Sequence, residues 1–81
     1  MARALMMVER LVSAAEREAY LRDLAKRGSA AKHVRLHFWV FEHADESGRF
    51  VEFTEGASEV AIASAHTDAL PAPLWREVYG G

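Results

Sequence analysis

The segment from Val34 to Glu42 reads Val-Arg-Leu-His-Phe-Trp-Val-Phe-Glu and constrains the chain more than any other stretch. Successive side chains of a β-strand point to opposite faces. Val34, Leu36, Phe38 and Val40 therefore share one face, and Arg35, His37, Trp39 and Phe41 the other. A strand with one face in water alternates cleanly between apolar and polar residues. This one is apolar on both sides of its centre. A sheet built around it needs cover on both faces, and 81 residues must supply that cover or recruit it.

That length fits a single domain, residues 1–81, and is too short for two. A core of this size leaves roughly 3–5 kcal/mol of net stability, so small domains often enlist a metal, disulfides or a partner. The chain has no cysteine, which removes disulfides, thiolate catalysis and Cys-based zinc sites. Twelve carboxylates against ten Lys and Arg leave no basic excess of the kind nucleic-acid binders gather on one face. Lys26, Arg27 and Lys32 read as the solvated end of a helix, so no nucleic-acid partner is expected. Met1 to Val8 is too short an apolar run for a signal peptide. No stretch approaches the roughly 20 apolar residues that span a bilayer, so no membrane partner is expected and the expected location is cytoplasmic.

The other elements follow from local pattern. Ala4 to Val12 is a first strand, apolar and partly β-branched. Ser13 opens a helix through a Ser-x-x-Glu capping box with Glu16. Tyr20, Leu21, Leu24 and Ala25 form its apolar stripe, and Gly28 fits the left-handed residue that ends it. His43 to Gly48 is a polar hairpin loop between strand two and strand three, Arg49 to Glu55. Ser58 caps a short helix from Glu59 to about His66. Leu70-Pro71-Ala72-Pro73 is an extended connector. Leu74 to Tyr79 alternates as a last strand. The order is βαββαβ.

The loop length suggests a register with Glu42 opposite Phe50, Phe41 opposite Val51, Trp39 opposite Phe53 and His37 opposite Glu55. A one-residue slip would turn every side chain to the wrong face. Two helices of these lengths cover one face of four strands. The other face would carry a contiguous apolar patch of the kind that marks an interface. The simplest cover is a second copy, so the chain is expected to be a homodimer through its sheet face.

The run Val34 to Glu42, the loop Ala44-Asp-Glu-Ser-Gly-Arg-Phe-Val and the later Glu55 and His66 resemble the antibiotic-biosynthesis monooxygenase family of dimeric α/β barrels. The resemblance covers most of the chain in element order, and 34–66 in motif. It implies an α+β, ferredoxin-like protomer with a four-stranded antiparallel sheet, dimerised into a barrel, with a hydrophobic cleft between sheet and helices. Members include cofactor-independent oxygenases of aromatic or quinol substrates and haem-degrading proteins. Glu55 and His66 are the family positions matched here. In relatives the Glu comes one residue sooner with a Trp two positions on; here Ala57 stands there, and the second helix is cut short by the Pro-containing connector.

Two functions follow as expectations. One is a cofactor-independent monooxygenase-like or isomerase-like enzyme acting on a small apolar or aromatic metabolite held between helix one and the Trp39–Phe53 face. Its candidate catalytic residues are His37, Glu55 and His66, and its ligand-binding residues Trp39, Phe41, Phe53 and Tyr20. The other is a non-catalytic ligand-binding or dimerisation module. In that case His37 and Glu55 form a register-fixing pair, His66 complements a helix dipole, and the aromatics are core. His33, His37 and His43 make no compact ligand set, so no metal is expected; no other cofactor is expected for the chain.

Overall fold

The computed structural model describes residues 2–66 and 68–80. Its elements run β1 (Ala4–Leu11), a 3-10 turn (Ala14–Glu16), α1 (Arg17–His33), β2 (His37–Glu42), β3 (Arg49–Gly56), α2 (Glu59–Ser64) and β4 (Leu74–Arg76). The four strands form one open antiparallel sheet in the order β2-β3-β1-β4. This α+β arrangement, with two helices and β3 inserted between β1 and β2, is compatible with a ferredoxin-like fold.

The β2–β3 register is the one the loop length suggests: Glu42 faces Phe50, Phe41 faces Val51, Trp39 faces Phe53 and His37 faces Glu55. β1 lies on the other side of β3 with Met6 opposite Thr54 and Val8 opposite Glu52. Even-numbered residues of β1, β2 and β3 therefore turn toward the helices and odd-numbered ones away. α1 packs mainly on β2, and α2 on β3 and β1. The core, Ala4, Met6, Leu36 and Ile62, lies on the even side under α2, with Val8, Ala31 and Leu74 packed around it.

Several boundaries differ from the sequence reading. α1 does not end at Gly28 but continues one and a half turns further, to His33. The left-handed residue after it is Arg35, with φ 59°. Gly28 sits inside the helix because the chain needs that extra length to carry Ala31 to the core. Val34 and Arg35 are consequently spent on the turn, and β2 begins at His37 instead of Val34. Leu36 reaches the core from outside the strand. The capping box is also replaced: Ser13 donates to the Glu16 carboxylate at 2.8 Å, and the backbone N–H of Glu16 donates to the Ser13 carbonyl at 3.1 Å. That geometry makes a 3-10 turn and leaves Glu16 as the residue preceding α1. α2 stops at Ser64 and β4 at Arg76, both shorter than expected. Ser58 caps α2 as expected, accepting from Ala61 N–H at 3.1 Å.

The β2–β3 hairpin is tied to β1 through Gly48. Its carbonyl accepts from Val12 N–H at 2.8 Å and its N–H donates to Glu42 at 2.9 Å. Arg17 grips the same Glu42 carboxylate with both terminal nitrogens, at 2.6 and 2.8 Å. This arginine, with the Gly48 N–H, lowers the carboxyl pKa to about 2. Gly48 has φ +86°, and a Cβ there would collide with the Val12 carbonyl oxygen. Gly48→Ala should therefore destabilise the protein by at least 1 kcal/mol, read as a lower urea midpoint at unchanged m-value. An unchanged midpoint would show that the hairpin tolerates another turn.

Candidate functional site

The sheet has a helix-side cleft and a bare face. The cleft lies where α1 and α2 diverge, over β1 and β3, is open on one side and has a volume of about 330 Å³. Small-molecule pockets begin at about this size. Met6, Val8, Leu36 and Phe38 give it apolar walls, while Arg10, Arg27, Glu52, Thr54 and His66 supply polar groups. It stays open because α1 buries no residue completely and approaches the sheet through long side chains.

Glu52 is the most buried carboxylate described, at 3 % exposure. Tyr20 donates its hydroxyl to it at 2.6 Å, and Arg27 donates from both terminal nitrogens at 3.0 and 2.9 Å. Arg10 adds a long contact from Nε at 3.5 Å. Burial alone would raise the Glu52 pKa, but the hydrogen bonds from Arg27 and Tyr20 outweigh it and the carboxyl is held below its ordinary value. Burial, with the neighbouring carboxylate, pushes the Tyr20 phenol up to about 12. Tyr20 thus stays protonated and Glu52 ionised at neutral pH. With its lone pairs occupied, Glu52 is an anchor for α1 and a poor proton acceptor. Arg27 also lies over the Phe38 ring at 5.4 Å, and its Nε, buried and without a hydrogen bond among the described residues, lies 2.9 Å from an Asp23 carboxylate oxygen.

His66 reaches the cleft from the end of α2. Its Nδ1 lies 2.9 Å from the Ile62 carbonyl oxygen. A carbonyl only accepts, so Nδ1 carries the hydrogen, and in the neutral form of the ring the lone pair is on Nε2. The contact adds a second donor to a carbonyl that already accepts from Ala65 N–H at 3.2 Å, at the C-terminus of α2. It also fixes the tautomer that a general base requires. Nε2 makes no hydrogen bond among the described residues.

The other candidates lie elsewhere. His37 and Glu55 do pair, at 2.9 Å, but at the rim of the opposite face, with Arg3 also bound to Glu55. The hydrogen bonds from His37 and Arg3 keep the Glu55 carboxyl below its usual pKa, despite partial burial. His37 is exposed and stacks near Trp39, ring centroids 5.6 Å apart. Trp39, Phe41 and Phe53 occupy that same face, with Phe41 edge-on to Phe53 at 5.6 Å. Tyr20 is on the helix side against Phe50, at 4.8 Å. The expected cleft between helix one and the Trp39–Phe53 face does not form within the chain, because α1 covers the even-numbered face instead. His66 and Tyr20 are brought to one side of the sheet; His37, Glu55, Trp39, Phe41 and Phe53 to the other.

Glu52, Arg27, Arg10 and Thr54 were missed as site residues. A signal existed: Glu52 shares its strand face with Phe50, and a carboxylate on an apolar face needs a buried cation. Tyr20 and Arg27, two turns apart on one helix face, could have supplied donors. His43 caps its own loop, its Nδ1 accepting from Asp45 and Glu46 N–H at 3.0 and 3.1 Å. Among the described residues no group of three or more His, Asp or Glu is placed to hold a metal ion, and no helix is long and apolar enough to cross a membrane. Comparison with known proteins finds no matching family model, no matching curated protein and no matching solved structure.

Proposed function

We propose that this chain works as a homodimer, paired sheet to sheet in the manner of a dimeric α/β barrel, and binds a small, largely apolar metabolite in the cleft between its helices and its sheet. The observation that carries the binding is the cleft itself, walled by Met6, Leu36 and Phe38 and lined by His66, whose Nδ1 is engaged by the Ile62 carbonyl and whose Nε2 makes no hydrogen bond among the described residues. Within such a cleft a neutral imidazole accepts a proton from a bound hydroxyl or an acidic C–H, the first step shared by cofactor-independent oxygenation and isomerisation. Glu52, Tyr20 and Arg27 hold α1 at the distance that keeps the cleft open. The resemblance over 34–66 supports the same reading.

The test uses a small quinol, followed by fluorescence for binding and by oxygen consumption for turnover. His66→Ala should leave the dissociation constant within about threefold and lower turnover by at least 100-fold. Equal turnover in both proteins would remove His66 as the base. A second reading, a non-catalytic dimerisation module, is favoured by the aromatic face that the helices leave bare; it requires a dimer with no quinol binding at all.

A further inference from the structure

The cleft holds more than a base in an apolar hollow, and its polar groups are unevenly used. Glu52 is saturated by Tyr20 and Arg27. Arg10 is not: its sole acceptor among the described residues is Glu52, through Nε at 3.5 Å, so the outer fork of its guanidinium is unspent. Thr54 also lines the cleft and its hydroxyl makes no hydrogen bond among the described residues. The lining carries two guanidinium groups and one carboxylate; Arg27 is matched by Glu52 and by Asp23 outside the lining, so Arg10 is the cation with binding capacity left beside the apolar walls.

We infer that the ligand of this cleft is an elongated, mostly apolar monoanion whose carboxylate sits on the outer fork of Arg10 while its far end lies against Thr54 and His66. The inference rests on the cleft reading above and adds the class of molecule. A guanidinium fork matches a carboxylate in bidentate fashion, and the pair is strengthened where apolar walls exclude water. A dianion such as a phosphate monoester fits less well, because one spare cation would leave its second charge facing Glu52. The spacing sets the length. Arg10 stands opposite Phe50, four residues or roughly 13 Å along β3 from Thr54, and its side chain shortens that span by leaning toward Glu52. The shortened span matches a ring bearing a carboxylate arm at one end and a hydroxyl at the other, the hydroxyl meeting the two groups able to accept from it.

The test titrates the intact protein with 4-hydroxyphenylacetate and with neutral 4-hydroxyphenylacetamide, followed by calorimetry and amide chemical shifts. The acid should bind at least 10-fold tighter than the amide, with shifts at Thr54 and His66. Arg10→Gln should erase that preference; Arg10 is 46 % exposed, so the variant should fold. Arg10→Lys should retain part of it. Equal binding of acid and amide would overturn the inference and leave the cleft standing. A preference that survives Arg10→Gln would overturn the assignment of the anion to Arg10. Failure of both compounds to bind would overturn the inference and the cleft reading together.

Discussion

Replacing Glu52 by glutamine is expected to lower the unfolding free energy by about 3 kcal/mol, near the bottom of the range for breaking one half of a buried ion pair. The reason is what remains. Arg27 would stay pinned over Phe38 with its two terminal nitrogens facing an amide that cannot balance the charge, and Tyr20 would lose a charge-assisted bond. Arg27 is about one third exposed and can turn partly to water, which keeps the effect from the upper end. For a domain of 81 residues that amount rivals the whole reserve of roughly 3–5 kcal/mol. Urea titration at fixed protein concentration checks it, and a midpoint equal to wild type would show that the network is not a buried pair in solution. Glu52→Leu combined with Arg27→Met should recover much of the loss, because both desolvated charges leave together. The pH dependence has a definite sign. The Glu52 carboxyl is depressed in the folded state. Its contribution is therefore full above the ordinary glutamate pKa of about 4.3 and fades as pH falls through the depressed value. In glutamine variants that part of the acid transition should vanish.

What the residues disclosed in advance was periodicity, and what they concealed was competition between local signals. The alternation in 37–42 and 49–55 and the length of the hairpin loop pointed to the observed β2–β3 register, since a slip would exchange Trp39 and Phe53 with Phe38 and Glu52. The end of α1 was concealed, because Gly28 is a common stop and nothing nearby shows that Ala31 must reach a core built by Ala4, Met6 and Ile62. Tertiary burial overrode the local preference. The same cause moved the site. The helix α1 was legible but half of its expected stripe was not, since Leu21 and Ala25 are exposed while Arg17, Tyr20, Leu24, Arg27 and Ala31 are half-buried. Nor was the sheet face it would meet, since both faces of β2 offer aromatic residues. Glu52 decides between them: it can be buried only where Tyr20 and Arg27 follow it. His66 was legible as a helix-end imidazole, while its neighbours in the cleft come from β1 and β3, too distant in sequence for spacing to reveal.

Trp39→Glu is expected to convert the proposed dimer to monomer while leaving the protomer folded. In the single chain Trp39, Phe41 and Trp75 are 47 %, 57 % and 56 % exposed, on the face that neither helix reaches. Strands 4.8 Å apart and rising about 3.3 Å per residue give this face roughly 400–500 Å² per protomer. A two-fold pair would then bury about 1,000 Å², the lower bound for a specific interface. Covering the exposed half of one Trp removes about 100 Å² from water, or about 2.5 kcal/mol. Two-fold symmetry counts it twice, so the substitution should weaken association by about 5 kcal/mol, more than 1,000-fold in Kd, before the repulsion of two facing carboxylates is added. The protomer should change little, since Trp39 leaves no cavity and breaks no buried hydrogen bond. Sedimentation equilibrium at micromolar concentration, with far-UV circular dichroism as the check on folding, decides between outcomes. Val78→Glu, on the exposed C-terminal stretch, should leave the mass unchanged. A wild-type protein that sediments as a monomer would end the case for the dimer; a Trp39→Glu protein that stays dimeric would move the interface off this face. The two large effects are separable for a physical reason. Glu52 acts on the covered side of β3 and sets whether α1 stays docked, whereas Trp39 acts on the bare side and sets whether two sheets meet.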